Sequence, residues 1–461
     1  MSLPSADLLA RANAASAGGN WSQVLDCLQQ LLARDDEVPG DRNGGTTAAN
    51  ALQLTLDSLA NGDFRQRWEA TKLLAYFGEA AIAPLLAWIG DRAVDGELRW
   101  FAVRAATDLL SHRVSPETRT TTIAALANLL VAEEDEDLRD AATSALAELG
   151  EGAIDILAEL MQEPQSRRLA VRAIAQIQHP RVVEPLLAAI ADPDVEVRAI
   201  AWEAAIALDD PRLPPLLVKA LDDPSARVRR QGAIGLGLWA ARGSLDDRLP
   251  GCDLVRRLRD RLWDLNLEVC QQAAIALGRL DSPAAVAALS DVFAAETTPM
   301  PLKLAAVRAL GWMSVPEAVD ALQGAIQLCC RGGNEGEKLP AAFAAEIAAV
   351  LGRQTETPLR ERAAEVLVAV IDAEPSTGPE SAEVKKAIVL GLGELGDSRA
   401  IEPSIRLLAD PDASVRLHAI AALKRLDPER TYQRLQERAA DPTIAPDLRE
   451  GIAIALREWH R

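Results

Sequence analysis

The sequence has few aromatic residues, few histidines and no stretch with the alternating pattern of a β-strand. Aromatic side chains make up 3% of its 461 residues, and four histidines are present. No long run alternates Val, Ile, Thr or Tyr with polar residues, so strands have no candidate segment. Alanine and leucine dominate the composition instead, which predicts an all-α protein.

The motifs of several enzyme classes are also missing. The chain contains no G-x-S-x-G, no H-E-x-x-H and no Walker loop. The segment GLGELG, Gly391 to Gly396, matches G-x-G-x-x-G in letters, but it ends a predicted helix, whereas a dinucleotide site needs a preceding strand. Its glycines, like Gly235 and Gly237, predict close helix packing and a helix C-cap.

The charge of the chain is strongly acidic, with a formal net charge of −19 and a pI near 4.8. Nucleic-acid phosphates need a lysine and arginine footprint, so the composition argues against a broad nucleic-acid interface. The N-terminus MSLPSADLLARANAA lacks the basic start and apolar core of a signal peptide, and no apolar stretch is expected to reach the length of a bilayer. These features predict a cytoplasmic protein without an integral membrane segment.

Five cysteines, an odd number, include no C-x-x-C pair: Cys27, Cys252, Cys270, Cys329 and Cys330. A chain of this size folds without disulfide staples, so we expect reduced thiols. The vicinal pair Cys329-Cys330 precedes a glycine-rich loop. A structural role is favoured for that pair, and metal binding or redox chemistry is the weaker alternative.

The stretch from Gln178 to Leu238 contains one unit twice, HPRVVEPLLAAIADPDVEVRAIAWEAAIAL and DPRLPPLLVKALDDPSARVRRQGAIGLGL, with matching prolines and arginines 31 residues apart. Each copy has an apolar segment, an Asp-Pro break and a second apolar segment at helical spacing, which predicts two helices joined by a tight turn. The arginine after the break is expected to pair with an aspartate of its own or the neighbouring turn. This predicts a structural ladder that comprises Asp192, Arg198, Asp223, Arg229, Asp410 and Arg416.

This unit resembles a HEAT repeat and, in its short form, the phycobilisome-lyase HEAT-like repeat of cyanobacterial type. The resemblance rests on D-P-x-x-x-V-R followed by A-x-x-A-L, which returns at Ala409 to Leu426 as ADPDASVRLHAIAALKRL. It implies a right-handed α-solenoid of about eleven to twelve units, whose second helices line a concave binding face.

Three regions are predicted along the chain: a helical cap at residues 1–34, a flexible linker at 35–48 and the solenoid at 49–461. Insertions are expected at Ala240 to Gly251, Arg331 to Lys338 and Ala373 to Glu383. Between the last two, Ala341 to Leu351 and Leu359 to Ile371 are interpreted as one helical pair without the motif. A residue at the start of each second helix marks the units: Arg65, Arg99, Arg139, Arg167, Arg198, Arg229, Cys270, Lys303, Lys385, Arg416 and Arg449.

Seven of the sixteen aromatic residues are concentrated between Phe64 and Phe101, interleaved with arginines. Tryptophan and arginine are enriched in interface hot spots, so this segment is the candidate binding surface, although packing between helices is favoured for Phe77 and Trp88. The candidate residues are Arg65, Arg67, Trp68, Glu69, Arg99, Trp100 and Arg104. The second arginine-rich stretch, Asp253 to Asp264, alternates with aspartates and is predicted to be a solvated, salt-bridged face.

Two functions remain open from the sequence. The first is a non-enzymatic scaffold or assembly factor, without cofactor, that binds a protein such as a phycobiliprotein or another photosynthetic assembly. The second, implied by the resemblance, is a phycobilin lyase that holds a linear tetrapyrrole with Trp68, Trp100, Glu69 and Arg99. A di-iron centre like that of deoxyhypusine hydroxylase needs repeated His-Glu pairs, and no histidine here is followed by glutamate.

Overall fold

The computed structural model describes residues 4–33, 45–243, 245, 249, 251–295, 297–330, 340–373 and 379–459. The chain divides into two compact units, Met1–Asp210 and Pro211–Arg461. Within the described residues every regular element is helical, so the predicted all-α fold is confirmed. Most of the predicted linker at 35–48 and the whole predicted loop Arg331 to Lys338 lie outside those residues.

The first unit has twelve α-helices in its described part: α1 Ser5–Ala17, α2 Trp21–Leu32, α3 Gly45–Asn61, α4 Phe64–Leu74, α5 Ile82–Gly90, α6 Gly96–Leu110, α7 Pro116–Ala132, α8 Glu136–Glu148, α9 Ile154–Leu160, α10 Arg167–Ile174, α11 Val183–Ala189 and α12 Val195–Ala205. Short 3₁₀ segments at Ala75–Ala81, Gly150–Ala153 and Pro180–Val182 lead into first helices.

The second unit has fourteen α-helices in the residues that are described: α13 Leu213–Ala220, α14 Ala226–Ala241, α15 Leu254–Arg261, α16 Leu267–Leu280, α17 Pro283–Ala294, α18 Met300–Gly311, α19 Pro316–Cys330, α20 Ala341–Gly352, α21 Thr357–Ala373, α22 Pro379–Leu395, α23 Ile401–Arg406, α24 Ala413–Leu426, α25 Pro428–Ala440 and α26 Pro446–Glu458. Two further 3₁₀ segments lie at Ser398–Ala400 and Leu407–Ala409.

Each odd-numbered helix packs against the even-numbered helix that follows it, and within each unit the pairs stack on their neighbours in chain order. The pair α1–α2 lies in the predicted cap at residues 1–34, and the described chain from residue 45 onward forms twelve pairs, which agrees with the predicted eleven to twelve units. The segments Ala341 to Leu351 and Leu359 to Ile371 form α20 and α21, which contact each other, but α20 is the second helix of the pair that α19 begins and α21 is the first helix of the pair that α22 completes. The predicted insertion Ala373 to Glu383 is also shorter than expected, since α22 begins at Pro379.

The marker residue of the second helix joins the two helices of its own pair. Arg198 is the fourth residue of α12, and its Nη1 donates to the backbone oxygens of Asp192 at 2.9 Å and Pro193 at 3.1 Å. Arg416 in α24 makes the same two contacts, with the oxygens of Asp410 and Pro411. Helical side chains lean toward the N-terminus, and the last carbonyls of a helix lack helical partners, so this position suits a cation.

Two acidic residues of the predicted ladder, Asp192 and Asp410, are bound by a cation of the preceding pair. Arg167 Nη1 lies 3.4 Å from Asp192 Oδ2, and Lys385 Nζ lies 2.9 Å from Asp410 Oδ2. Arg229 holds both carboxylate oxygens of Asp264 at 2.7 Å. Arg167 and Arg229 also donate to carbonyl oxygens of their own turns, so each of these two arginines ties its own turn to the turn of the next helix pair.

The first marker differs from the expectation. Arg65 is exposed, whereas Arg67 is the fourth residue of α4 and donates from Nε to Gly62 O at 3.1 Å and from Nη1 to Asp95 Oδ2 at 3.1 Å. The capping box between Asp63 and Gln66 sets this register, because it fixes the residue at which α4 begins. The unit marker is therefore Arg67.

Glycines let the second helices of the second unit approach closely. A β-carbon on Gly352 of α20 would lie 2.4 Å from the Cα of Gly391 in α22, and one on Gly393 would lie 3.0 Å from the Cα of Ala422. Gly396 ends α22 with a φ of 68°, in the left-handed region. The predicted roles of GLGELG in packing and capping are confirmed.

One segment contradicts the expectation that no apolar stretch reaches bilayer length. Phe64–Gly90, 27 residues, is long and apolar enough by length and composition. Its backbone leaves the helical region at Gly78, with φ 55° and ψ −134°, so the segment divides into α4 and α5. Their faces pack against α6.

A candidate partner-binding groove

The predicted aromatic segment forms a cluster around one buried ring. Phe101 of α6 is fully buried, and its ring centroid lies 5.3 Å from that of Phe64, 6.3 Å from that of Trp68 and 5.2 Å from that of Trp100. All three contacts are edge-to-face, the arrangement that the ring quadrupole favours. We call these four residues the aromatic cluster.

The outer rings of the aromatic cluster remain partly in solvent. Phe64 is 60% exposed and Trp68 is 38% exposed, although Phe101 beneath them is not exposed at all. Trp100 is half-buried. The cluster therefore has an anchored centre and an open edge, which is how a rigid contact surface is built.

A groove of about 830 Å³ begins at this open edge and runs between the second helices α6 and α8. One wall carries Trp100, Val103 and Thr107, which are spaced along a single face of α6. The opposite wall is the face of α8 that carries Leu138 and Ala145. Val103 and Leu138 are each 1% exposed, so they form an apolar floor rather than a rim.

Acidic residues surround this floor: Asp95, Glu97, Asp135, Asp137, Asp140 and Glu148, against a single lining cation, Arg104. Asp95 and Asp135 also cap the N-termini of α6 and α8 through their side chains. The hydrogen bond from Arg67 and the N–H of Leu98 lower the pKa of Asp95, so this carboxylate is ionised at neutral pH.

The sequence analysis did not identify the α8 side of the groove. Asp137 and Asp140 belong to the run EEDEDLRD, residues 133–140, which contains no aromatic residue and a single arginine. The available signal was its acidity, directly at the start of a second helix. Only stacking of α8 on α6 makes these carboxylates face the aromatic cluster.

The predicted site residues separate into a surface group and a structural group. Trp68, Trp100 and Arg104 are at least partly exposed at or near the groove. Glu69 is also partly exposed and pairs with Lys72 at 3.2 Å. Arg65 is exposed on α4 but does not line the groove.

Arg67 and Arg99 belong to the structural group. The side chain of Arg67 is 12% exposed and contacts Asp95 and Glu97 at 3.1 Å each. Arg99 is 6% exposed and donates to Ile89 O and to Glu133. Burial would raise the pKa of Glu133, but the hydrogen bond from Arg99 and backbone N–H groups outweigh it and lower that pKa. Arg99 is therefore placed to hold α6 to the next pair rather than to touch a ligand.

Comparison with known families accounts for the helix pairs. A model described as HEAT repeats matches residues 162–237 and 377–457. A model described as the PBS lyase HEAT-like repeat matches residues 302–327.

The chain contains HEAT repeats. Its HEAT repeats resemble importin β in one crystal form with a TM-score of 0.54 at 13% identity, over 97% of this chain and 69% of that one. A Kap121p mutant gives a TM-score of 0.54 at 13% identity, over 93% of this chain and 52% of that one. At these identities the likeness shows the solenoid fold alone.

A third similarity supports no argument. Human deoxyhypusine hydroxylase matches at 20% identity over 67% of this chain and 97% of that one, but its TM-score is 0.25. No group of three or more His, Cys, Asp or Glu side chains that could hold a metal ion occurs in the described part of the chain. No curated protein sequence matched the chain.

The other predicted clusters have internal partners. Arg257 pairs with Asp222 at 2.8 Å and Arg259 pairs with Asp291 at 2.6 Å, so the salt-bridged face on α15 is confirmed.

Cys27, Cys252, Cys270 and Cys329 are free thiols, and burial raises the pKa of Cys270. The side chain of Cys330 lies outside the described residues, so the role of the vicinal pair stays a prediction.

Proposed function

We propose that this protein is a non-enzymatic scaffold that binds a protein partner in the groove between α6 and α8. The observation that carries the proposal is the aromatic cluster, which keeps Phe64 60% exposed at the mouth of an 830 Å³ groove. Large exposed rings on a rigid support are typical of interaction sites. The groove also lies along second helices, the faces that HEAT solenoids present to ligands.

We infer the class of the partner from one family match, and the location of this protein from its net charge. A phycobiliprotein or another photosynthetic assembly is the class that the lyase-type repeat at residues 302–327 suggests. An acidic chain with net charge −19 is suited to the cytoplasm as a soluble scaffold. Both statements are part of the proposal and are tested with it.

The alternative function, a phycobilin lyase, has weaker physical support. A linear tetrapyrrole carries propionate groups that need cations, yet Arg104 is the one basic side chain among the residues that line the groove. Arg99, the basic residue predicted to hold the tetrapyrrole, is engaged by Glu133. Co-expression with a bilin and phycobiliprotein subunits tests this alternative, and chromophore attachment that depends on Trp100 would favour it over the scaffold.

Crosslinking in the native cell tests the scaffold function. We expect a reproducible partner whose crosslinks map to α4, α6 and α8, and we expect Trp68→Ala and Trp100→Ala to abolish those crosslinks. Trp312→Ala is the matched control, because Trp312 is 59% exposed, belongs to the second unit and is not among the residues that line the groove. Crosslinks that persist in both groove variants would place the partner elsewhere and overturn the proposal.

A further inference from the structure

The charges around the groove do not cancel. The six lining carboxylates meet three guanidinium groups: Arg67 contacts Asp95 and Glu97, Arg172 contacts Asp140, and Arg104 lies 3.8 Å from Glu148. Asp137 has no ion pair or side-chain hydrogen bond with any described residue, and Asp135 accepts backbone N–H groups alone. Three negative charges are left in a concave space, where low-dielectric walls concentrate the field.

The groove also has the length of a peptide segment. Its lining on α8 extends from Asp137 to Glu148, which at 1.5 Å per residue is about 17 Å. An extended strand rises about 3.3 Å per residue, so roughly five or six residues would fit along it. Alternate side chains of such a strand point to the same side, here toward the acidic walls and the aromatic cluster.

Rings and carboxylates together favour one kind of side chain. The aromatic face of Trp100 can stack on a planar guanidinium group, and neighbouring carboxylates can accept its paired N–H donors. A lysine ammonium is a more strongly hydrated point charge and stacks less well. The apolar floor at Val103 and Leu138 suits the methylene stem of a long basic side chain.

We infer that the groove between α6 and α8 binds an arginine-rich, extended segment of a protein partner. This inference rests on the proposed scaffold function and specifies the chemistry of its partner. Charge complementarity predicts a positively charged segment, the aromatic cluster favours arginine over lysine, and the length of the groove fits a short segment. Arg104, between Asp108 at 3.7 Å and Glu148 at 3.8 Å, is a cation that the incoming arginines must displace or avoid.

Binding of short labelled peptides to the full chain, followed by fluorescence anisotropy, tests the inference. The probe is a peptide of about eight residues with arginine at every second position, so that its arginines share one side. Peptides with lysine or glutamate in place of arginine are the comparisons, and spermidine is the competitor that carries charge without a backbone. We expect the arginine peptide to bind about threefold or more tightly than the lysine peptide, and the glutamate peptide not to bind.

Two variants change the groove charge in opposite directions. Asp137→Asn removes an unpaired carboxylate and should weaken the arginine peptide about fivefold. Arg104→Gln removes the lining cation and should strengthen binding of the arginine peptide about twofold, as expected when one positive charge about 8 Å from a peptide arginine is removed in water. A gain of affinity cannot arise from misfolding. Glu117→Gln on the first helix α7 is the control, because Glu117 is exposed and away from the groove, and it should leave affinity unchanged.

Several results would overturn the inference. Weaker binding in Arg104→Gln, or tight binding of the glutamate peptide, would mean an anionic ligand. An equal loss of peptide affinity in Asp137→Asn and Glu117→Gln would mean that the peptide is attracted to the whole acidic surface. Displacement of the arginine peptide by spermidine at equal charge would mean that the groove has no preference for a polypeptide. A crosslinked partner that depends on Trp100 but inserts no arginine-rich segment would leave the scaffold function standing, whereas loss of both would remove both.

Discussion

Arg229→Ala should be among the most destabilising changes in the ladder. The side chain of Arg229 is 14% exposed, that of Asp264 is 4% exposed, and the two share a bidentate contact at 2.7 Å. Nη1 of Arg229 also donates to the carbonyl oxygens of Asp223 at 2.9 Å and Pro224 at 3.0 Å. The substitution therefore leaves a buried carboxylate and two carbonyls without these donors.

The magnitude follows from what remains around Asp264. Breaking a buried ion pair from one side costs about 3–5 kcal/mol. Arg261 Nη1, 3.7 Å from Asp264, and the N–H of Asn266 keep part of the compensation. We therefore expect a loss of about 2–4 kcal/mol in the free energy of unfolding. Arg256→Ala is the control, because Arg256 is 63% exposed and its pairs should contribute less than about 1 kcal/mol.

The pH dependence of this loss has a definite sign. Burial would raise the pKa of Asp264, but Arg229 and the Asn266 N–H outweigh it, and the pKa is lowered. A lowered folded pKa gives stability that is present above the unfolded value near 3.9 and disappears as pH falls through the folded value. Removing Arg229 takes away the largest lowering contribution while burial remains, so the pKa of Asp264 should rise and protonation should relieve part of the unpaired charge. The difference between wild type and Arg229→Ala should shrink between pH 7 and pH 4.

Urea unfolding and hydrogen exchange of α14 and α16 provide the assay. Repeat arrays can unfold in steps, so protection of these helices is measured beside the global midpoint. Faster exchange confined to α14, α16 and their neighbours is the expected result. If Arg229→Ala cost no more than Arg256→Ala at pH 7, the ladder would be a surface feature and the reasoning would be refuted.

Three further predictions use other contacts. Gly352→Ala should destabilise the second unit by about 1–3 kcal/mol, because its β-carbon would lie 2.4 Å from the Cα of Gly391. Gly324→Ala in α19 is the control: a β-carbon there has nothing within 4 Å, so this change should stabilise the fold by about 0.5–1 kcal/mol. Equal effects of the two changes in urea unfolding would count against the close approach of Gly352 to Gly391. Arg139→Met should change the unfolding free energy by less than about 1 kcal/mol, because Nε of Arg139 is buried without a hydrogen-bond partner in the described chain, whereas the same substitution at Arg229 should be costly. Glu79→Ala should speed hydrogen exchange in the first turn of α7, because Glu79 accepts hydrogen bonds from the N–H of Ser115 at 3.0 Å and from its hydroxyl at 2.6 Å. These bonds lower the pKa of Glu79, so the exchange rates of wild type and variant should converge as pH falls through that pKa. Unchanged exchange in the variant at pH 7 would contradict a role of Glu79 in holding this turn.

The ladder shows which contacts can be predicted from short sequence patterns and which depend on the next helix pair. The repeated Asp-Pro break and the arginine after it predicted the turn and the first-turn cation, because capping and helical spacing act within a few residues. Which carboxylate each cation meets depends on the next pair: Asp192 receives Arg167, while Arg198 donates to the backbone of its own turn. The prediction of Arg65 as the first marker is wrong, because the N-cap at Asp63 sets the register of α4 and places Arg67 at its fourth position.

The sequence by itself determined the fold class, the helix pairs and the aromatic segment at α4 to α6. Helical periodicity, alanine-rich faces and Asp-Pro breaks carry these features, since they depend on neighbours along the chain. Only the tertiary structure decided that Arg99 is buried against Glu133, that Trp68 and Trp100 surround Phe101, and that the acidic face of α8 closes the groove. Apart from Trp100 and Phe101, which are neighbours in the sequence, those contacts join residues about 30 to 80 positions apart, and stacking of helix pairs, not local propensity, brings them together.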